Sequence, residues 1–299
     1  MGHALMVEGL RKSYGTTRAV DGLDLSVHEG EIFGILGPNG SGKTTTVECS
    51  YGLRRADAGR IRLLGRDPHT DSDSLRSLVG VQLQDSALPD RMRVCEAVGL
   101  FATLARQPVD VGQALEQWGL AHKRTASYAS LSGGQKQRLH IALALVTHPR
   151  LVFLDEMTTG LDPNARREVW QLIEQVRADG TTVVLVSHFM DEAQRLCDRV
   201  AIMARGRIVA QGTPAQLMRE HGGRTSVSFE VSPGTALPDL AGIKGVEHVR
   251  VGDGRIDLQG RGPFLVHLGQ ALAEHGLDDV ELMVEQPGLE EAYLRLVGG

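Results

Sequence analysis

The chain has 299 residues, with 32 Lys and Arg against 37 Asp and Glu, so its formal net charge is −5. This balance excludes a strongly basic nucleic-acid-binding protein. A chain of this length is expected to form one large and one small domain without needing disulfide bonds. Cys49, Cys95 and Cys197 form no CxxC pair, which argues against a zinc cluster and favours a reducing compartment. Glycine is over-represented, with 36 residues, against ~7% in average proteins.

Apolar segments are too short to span a membrane, which takes ~20 residues. The longest are 141–146 and 183–186, and both fall far short of that length. The first residues lack the basic and then apolar pattern of a signal peptide, and Met6 argues against N-myristoylation at Gly2. We therefore expect a chain without a membrane segment of its own.

The first two thirds of the sequence predict an α/β arrangement. Alternation of Leu23, Leu25 and Val27 with polar residues is typical of a strand. Apolar runs farther along alternate with helical segments, which predicts a parallel sheet covered on both faces. The predicted strands are 23–27, 31–36, 59–64, 151–154, 181–186 and 200–204. The predicted helices are 44–52, 164–178 and one that follows the turn at 132–134 and runs to about 147, and the segment 90–119 is predicted to be helical.

The composition shifts near His221, where a second pattern begins. Val227, Phe229 and Val231 alternate with polar residues, as in a strand with one buried face. Further along, the pattern predicts a hairpin over 249–258, helices over 264–275 and 289–297, and a strand over 280–284. Residues 221–299 are thus predicted to form a small α+β unit.

Residues 37–44 read GPNGSGKT, which matches the phosphate-loop pattern GxxxxGK[ST] between a predicted strand and a predicted helix. Small residues in such a loop let backbone N–H groups surround phosphate oxygens. Lys43 is expected to reach the β- and γ-phosphates and Thr44 to bind Mg²⁺; an ordinary glycine-rich turn is the alternative. The predicted nucleotide-binding residues here are Gly37, Pro38, Asn39, Gly40, Ser41, Gly42, Lys43, Thr44 and Thr45.

Residues 151–156 read LVFLDE, a predicted buried strand that ends in two carboxylates. Buried charges need a partner, and a metal ion bound to a nucleotide supplies one. We expect Asp155 to bind Mg²⁺, directly or through water, and Glu156 to act as the base that orients the attacking water. This motif is weak alone and becomes strong beside the phosphate loop.

A second glycine-rich turn, at residues 131–135, reads LSGGQ and is followed by Arg138. With the two preceding motifs, it resembles the ATP-binding subunits of ABC transporters over residues 4 to about 215. The resemblance implies an α/β P-loop NTPase fold with an antiparallel β subdomain and a helical subdomain over about residues 85–147. The implied domains are an ABC ATPase domain over 1–220 and an accessory α+β domain over 221–299. ATP and Mg²⁺ are the implied cofactors.

The resemblance also assigns roles to residues outside these motifs. Tyr14, in KSYG, matches the aromatic residue that stacks on adenine, and His188, in VSH, matches the histidine that contacts the γ-phosphate. Gln84 matches the glutamine that links the γ-phosphate and Mg²⁺ to the transport partner, with Gln82 as the alternative. Asp162, in TTGLD, matches a residue at the subunit interface, although it could equally cap the following helix.

Two positions depart from the family pattern. Met157 stands where a proline usually follows the catalytic glutamate, which puts the rigidity of that turn in question rather than the activity. The segment VQLQD around Gln84 lacks the proline common before that glutamine.

In the family, ATP lies between the phosphate loop of one subunit and the LSGGQ motif of another. The chain has one copy of each motif, so the resemblance implies a nucleotide-dependent head-to-tail homodimer. The residues expected to contact nucleotide across that interface are Ser132, Gly133, Gly134 and Gln135.

The C-terminal sequence QPGLEEAYLRLVGG resembles the accessory domain of daunorubicin-resistance-type exporter ATPases of the ABC-2 class. That likeness implies export of a drug-like small molecule through a separate transmembrane permease at the cytoplasmic face of the cell membrane. Residues 83–98 would form the docking surface for the permease. A non-transport ABC ATPase acting on ribosomes or DNA is the alternative; it is disfavoured because no second nucleotide-binding unit, coiled coil or zinc module is predicted. An importer ATPase with a regulatory tail is a third possibility, for which a longer and more strand-rich extension is expected.

Overall fold

The computed structural model describes residues 2–82, 87–105, 107–232, 234–252 and 254–298. The chain divides into two compact units, Met1–Ala215 and Gln216–Gly299. The sequence places a domain boundary after residue 220, and the observed division lies inside the helix Pro214–His221. Among the described residues, no helix is both long and apolar enough to cross a membrane.

Strands of the first unit form two sheets. They are β1 (His3–Tyr14), β2 (Thr17–His28), β3 (Ile32–Leu36), β4 (Ala58–Leu63), β5 (Val79–Gln82), β6 (Leu151–Asp155), β7 (Thr182–Ser187), β8 (Arg199–Ala204) and β9 (Arg207–Gly212). The main sheet has the order β5-β6-β7-β3-β8-β9, parallel except for β9, and the other sheet is antiparallel with the order β2-β1-β4. The near-continuous apolar sequences of β3, β6 and β7 agree with burial on both faces of a parallel sheet.

Helices separate most of the parallel strands. They are α1 (Lys43–Ser50), α2 (Ser72–Leu75), α3 (Val94–Ala102), α4 (Val111–Gln117), α5 (Gly133–Leu145), α6 (Pro163–Ala178), α7 (Met190–Leu196) and α8 (Pro214–His221). The core of the unit joins both sheets, because side chains from β1 and β2 pack in one cluster with side chains from β3, β6, β7 and α1.

The segment 90–119, which is predicted to be helical, contains two helices, α3 and α4. Pro108 lies between them and has no backbone N–H to continue a helix. Asp110 then starts α4: its carboxylate accepts hydrogen bonds from the backbone N–H groups of Gly112 and Gln113 at 2.7 and 3.2 Å. A proline followed by a capping aspartate therefore separates the two helices.

The second unit packs a helix against a four-stranded sheet. Its elements are β10 (Thr225–Glu230), β11 (Val246–Val251), β12 (Arg255–Gly260), α9 (Phe264–Glu274), β13 (Met283–Glu285) and α10 (Leu289–Val297), with sheet order β11-β12-β10-β13. The core lies between the sheet and α9 and includes Phe229, Leu258 and Phe264. The strand predicted over 280–284 lies farther along the chain, as β13. Val280 and Leu282 pack on this core but precede the residues that pair in the sheet.

Tight packing of α5 against β5 generates a stability prediction. A Cβ atom on Gly80 would lie 1.9 Å from the carbonyl oxygen of Ala144 in α5. We expect Gly80→Ala to destabilise the first unit by about 1–3 kcal/mol through overpacking, measured as a lower thermal midpoint. Gly99→Ala is the matched control, since a Cβ atom on Gly99 in α3 meets no atom within 4 Å. Equal midpoints for the two variants would contradict this account of the packing.

Candidate functional site

The loop between β3 and α1 is shaped by close backbone approach. Gly40 and Gly42 have φ angles of 78° and 100°, in the left-handed region that favours glycine. A Cβ atom on Gly42 would lie 2.3 Å from the carbonyl oxygen of Ala19, and one on Gly37 would lie 2.4 Å from that of Met203. Because Gly42 has no capping side chain, the first N–H groups of α1 face this loop without a side-chain partner from that position.

Lys43 is held inside the same loop. Its side chain is 6% exposed, and its Nζ donates hydrogen bonds to the carbonyl oxygens of Gly37 and Pro38 at 2.8 and 3.1 Å. Burial lowers the pKa of Lys43, while the charges of Glu156 and Asp155 act in the opposite direction. The buried ammonium group of Lys43 therefore lies within electrostatic range of the two carboxylates at the end of β6.

Asp155 and Glu156 lie where β6 ends. Asp155 is buried, and Glu156 has a φ of 49°, which is rare for a residue with a side chain. The backbone N–H of Glu156 donates to the carbonyl oxygen of Val186 at 2.9 Å. His188 Nδ1 lies 3.1 Å from Glu156 Oε1. The turn that carries Glu156 is thus fastened to the neighbouring strand β7.

A pocket of about 570 Å³ joins several of these residues. That volume is within the usual range of small-molecule sites. Tyr14, 42% exposed, forms one wall, and the cationic groups of Lys12 and Arg54 lie 5.7 and 5.5 Å from its ring centroid. The lining residues are Tyr14, Thr17, Arg18, Ala19, Asn39, Gly40, Gly42, Lys43, Thr44, Thr45, Glu156 and Arg205.

Within the described ranges, no group of three or more His, Cys, Asp or Glu side chains is arranged to hold a metal ion by itself. Mg²⁺ bound with a nucleotide takes one or two protein oxygens and completes its shell with phosphate oxygens and water. The Thr44 hydroxyl on the pocket wall and the buried carboxylate of Asp155 are oxygen donors of the required kind.

The LSGGQ segment lies apart from this pocket. Ser132 caps α5 by accepting a hydrogen bond from the Gln135 N–H at 3.3 Å, and Gln135 Oε1 accepts one from the Ser132 N–H at 3.1 Å. Ser132 and Gly133 are exposed, and Gly134 is half-buried. None of the residues 132–135 belongs to the lining of the pocket in the same chain.

Sequence reasoning identified eight of the lining residues and missed Thr17, Arg18, Ala19 and Arg205. Arg205 lies in the turn between β8 and β9, with a φ of 51°, and no motif signals it. Gln84 lies outside the described residues. The alternative, Gln82, is buried at the end of β5 and pairs in register with Leu154 of β6.

Comparison with known proteins shows the family. A sequence model of the ABC transporter family matches residues 20–159. Daunorubicin resistance ATP-binding protein DrrA3 of Streptomyces coeruleorubidus is 35% identical in an alignment that covers 99% of this chain and 96% of that protein. The chain belongs to the ATP-binding subunits of ABC transporters.

A second relative matches along both units of the chain, whereas the similar solved structures cover about three quarters of it. Nod factor export ATP-binding protein I of Ralstonia nicotianae is 35% identical over 98% of this chain and 94% of that protein. A solved ATP-binding subunit of an ABC transporter is 26% identical with a TM-score of 0.66, over 73% of this chain and 92% of that one. The cbiO1 protein of Clostridium perfringens, part of the ABC transporter complex cbiONQ, is 31% identical with a TM-score of 0.66, over 74% of this chain and 92% of that one.

These likenesses confirm the predicted family and the predicted P-loop NTPase fold. As an ABC ATPase, the subunit binds ATP and hydrolyses it to ADP and phosphate. The pocket bounded by Tyr14, the phosphate loop and Glu156 is therefore the candidate ATP site.

The contribution of Asp162 to stability as a helix cap can be tested by substitution. Its Oδ1 accepts hydrogen bonds from the N–H groups of Asn164 and Ala165, both at 3.0 Å, so it caps α6. We expect Asp162→Ala to cost about 0.5–2 kcal/mol of stability, measured by denaturant unfolding. Asp162→Asn should keep the cap and the stability, because asparagine caps helices equally well. Equal stability of the alanine variant and the unmodified protein would contradict the capping assignment.

Proposed function

We propose that this ABC ATPase energises export of a small, drug-like molecule through a separate transmembrane permease of the ABC-2 class, at the cytoplasmic face of the cell membrane. The observation that carries the proposal is the likeness over 94–96% of proteins named for daunorubicin resistance and Nod factor export. The match extends through the second unit, whereas the solved structures cover 73–74% of the chain. The second unit is therefore proposed as the accessory domain of an exporter ATPase, over residues 221–299.

Nucleotide binding is proposed to use both ends of the pocket. The ring of Tyr14 would stack on adenine, because it is exposed on the pocket wall. At the other end, the loop from Gly37 to Thr45 would surround the phosphates with backbone N–H groups. Lys43 would exchange its hydrogen bonds to the carbonyls of Gly37 and Pro38 for bonds to phosphate oxygens.

For hydrolysis, Glu156 is proposed to orient the water that attacks the γ-phosphorus, so that the bond to ADP breaks and inorganic phosphate leaves. His188 holds the Glu156 carboxylate from one side, at 3.1 Å, and would contact the γ-phosphate. Lys43 neutralises charge on the transferred group. Bound Mg²⁺ would supply further charge neutralisation, with Thr44, Asp155 and Gln84 as its proposed ligands.

A complete site is proposed to need two copies of the chain. Residues 132–135 lie outside the pocket of their own chain, although the N-terminus of α5 presents Ser132 and Gly133 to solvent. In a head-to-tail homodimer, this end of α5 would meet the γ-phosphate held by the partner, since a helix N-terminus favours anions. Asp162, exposed at the start of α6, would lie at the same interface.

The dimer is tested with Glu156→Gln, which should bind ATP, hydrolyse it little and accumulate as a dimer. Size-exclusion chromatography with light scattering, with and without ATP and Mg²⁺, measures the outcome. The double variant Glu156→Gln with Lys43→Ala is the matched control and should stay monomeric, because its loop lacks the cation for the phosphates. A monomer in ATP for the single variant, despite measured nucleotide binding, would overturn the head-to-tail model.

The exporter proposal is tested by purifying the tagged chain from detergent-solubilised membranes of its native cell. The expected result is co-purification of a polytopic membrane protein, lost on substitution within residues 87–98, which belong to the proposed docking surface. A matched substitution of the exposed Lys244 in the second unit should leave co-purification unchanged. Sedimentation with ribosomes, in the absence of any membrane protein, would instead favour the non-transport alternative.

A further inference from the structure

Glu192, in α7, is a fully buried carboxylate that the proposed mechanism does not use. Its Oε1 accepts a hydrogen bond from the Thr158 hydroxyl at 2.9 Å and another from the Trp170 indole N–H at 3.2 Å. Burial raises the pKa of Glu192, and the hydrogen bonds from Thr158 and Trp170 act against that rise. A buried carboxylate is costly unless several donors are held around it. The Thr158 hydroxyl and the Trp170 indole N–H are therefore held in fixed positions around this carboxylate.

One of the two donors, Thr158, comes from the turn that carries Glu156. Thr158 is fully buried and lies two residues after Glu156 in the turn that ends β6. This turn is folded on itself, because the N–H of Thr159 donates to the Glu156 carbonyl and the N–H of Leu161 to the Thr158 carbonyl, both at 3.2 Å. A hydrogen bond to the Thr158 side chain consequently acts on the backbone that orients Glu156.

The acceptor comes from the segment that carries the histidine. Glu192 lies in α7, which begins at Met190, two residues after His188. The Ser187 hydroxyl, at the end of β7, accepts a hydrogen bond from the Phe189 N–H at 3.0 Å, so the segment that carries His188 turns directly into α7. One buried carboxylate thus connects the turn of Glu156 with the segment of His188.

We propose that Glu192 is a positioning residue for ATP hydrolysis: through Thr158 it sets the turn that orients Glu156, and as part of α7 it ties that turn to the segment of His188. This inference rests on the proposed roles of Glu156 and His188. The strained backbone of Glu156, with a φ of 49°, needs such support, because a left-handed conformation persists only where the surroundings hold it. Trp170, on α6, shares the acceptor oxygen but does not belong to the turn.

The test compares Thr158→Val, which keeps the shape and removes the hydroxyl, with Thr158→Ser, which keeps the hydroxyl. Thr158→Val should lower kcat by about tenfold, as expected for a small misplacement of a catalytic group, with KM for ATP within about twofold. Thr158→Ser should restore kcat to within about twofold of the unmodified protein. A merely structural role would not produce this split between kcat and KM together with rescue by serine.

Trp170→Phe is the matched control, since it removes a hydrogen bond to the same oxygen from outside the turn. It should lower the thermal midpoint and leave kcat within about twofold. Should Thr158→Val fail to fold, Thr158→Ala makes the same comparison with serine without placing a methyl group beside the carboxylate. Equal kcat in the serine and valine or alanine variants, or an equal loss in Trp170→Phe, would overturn the inference.

The Glu156→Gln variant separates this inference from the proposed function. Loss of hydrolysis in Glu156→Gln with normal kcat in Thr158→Val would overturn the role of Glu192 and leave the proposed function in place. Normal hydrolysis in Glu156→Gln would overturn the assigned role of Glu156 and the inference that rests on it.

Discussion

The hydrogen-bonded ladder between β6, β7 and β3 is the constraint on which the site depends. In this ladder Asp155 pairs with Val186, and Leu36 pairs with Ser187, so the three strands end at one edge of the sheet. Adjacent strands lie ~4.8 Å apart, which places the residues that follow them within reach of one small ligand. The phosphate loop, the acidic pair and the histidine are close because the backbone ladder holds them there, and their own side-chain contacts refine that placement.

The glycine excess is explained only in part by the phosphate loop. Gly37 and Gly42 are required because carbonyl oxygens of Met203 and Ala19 occupy the space of a Cβ atom, at 2.4 and 2.3 Å. Those carbonyls belong to β8 and β2, so the shape of the loop depends on both sheets. Gly40, by contrast, has open space around its Cα and is favoured by its φ of 78° alone. The same residue type therefore answers two different physical demands within one loop.

Sequence reasoning reached the parts of the site that depend on local patterns. The loop around Lys43, the acids at the end of β6 and the capping turn at Ser132 each have a spacing that the backbone of a strand or helix dictates. It did not reach contacts that depend on the fold. Arg205 on the pocket wall is one example. The contact between Thr158 and Glu192, which are 34 residues apart in the sequence, is another. The division of the helical segment into α3 and α4 was not predicted, although Pro108 stands between them in the sequence.

The turn at Glu156 shows how backbone strain is supported at this site. A left-handed residue with a side chain costs on the order of 1–3 kcal/mol. Three contacts that hold this turn from outside come from residues 186–192: the Val186 carbonyl on the Glu156 N–H, the His188 ring on its carboxylate, and the Glu192 carboxylate on Thr158. Lys43 is held from a different direction, by the loop that rests on β8 and β2. Any movement of the end of β7 and α7 relative to the phosphate loop should therefore carry the Glu156 carboxylate and the His188 imidazole together. The contact between these two groups would be kept, while their distance to Lys43 would change.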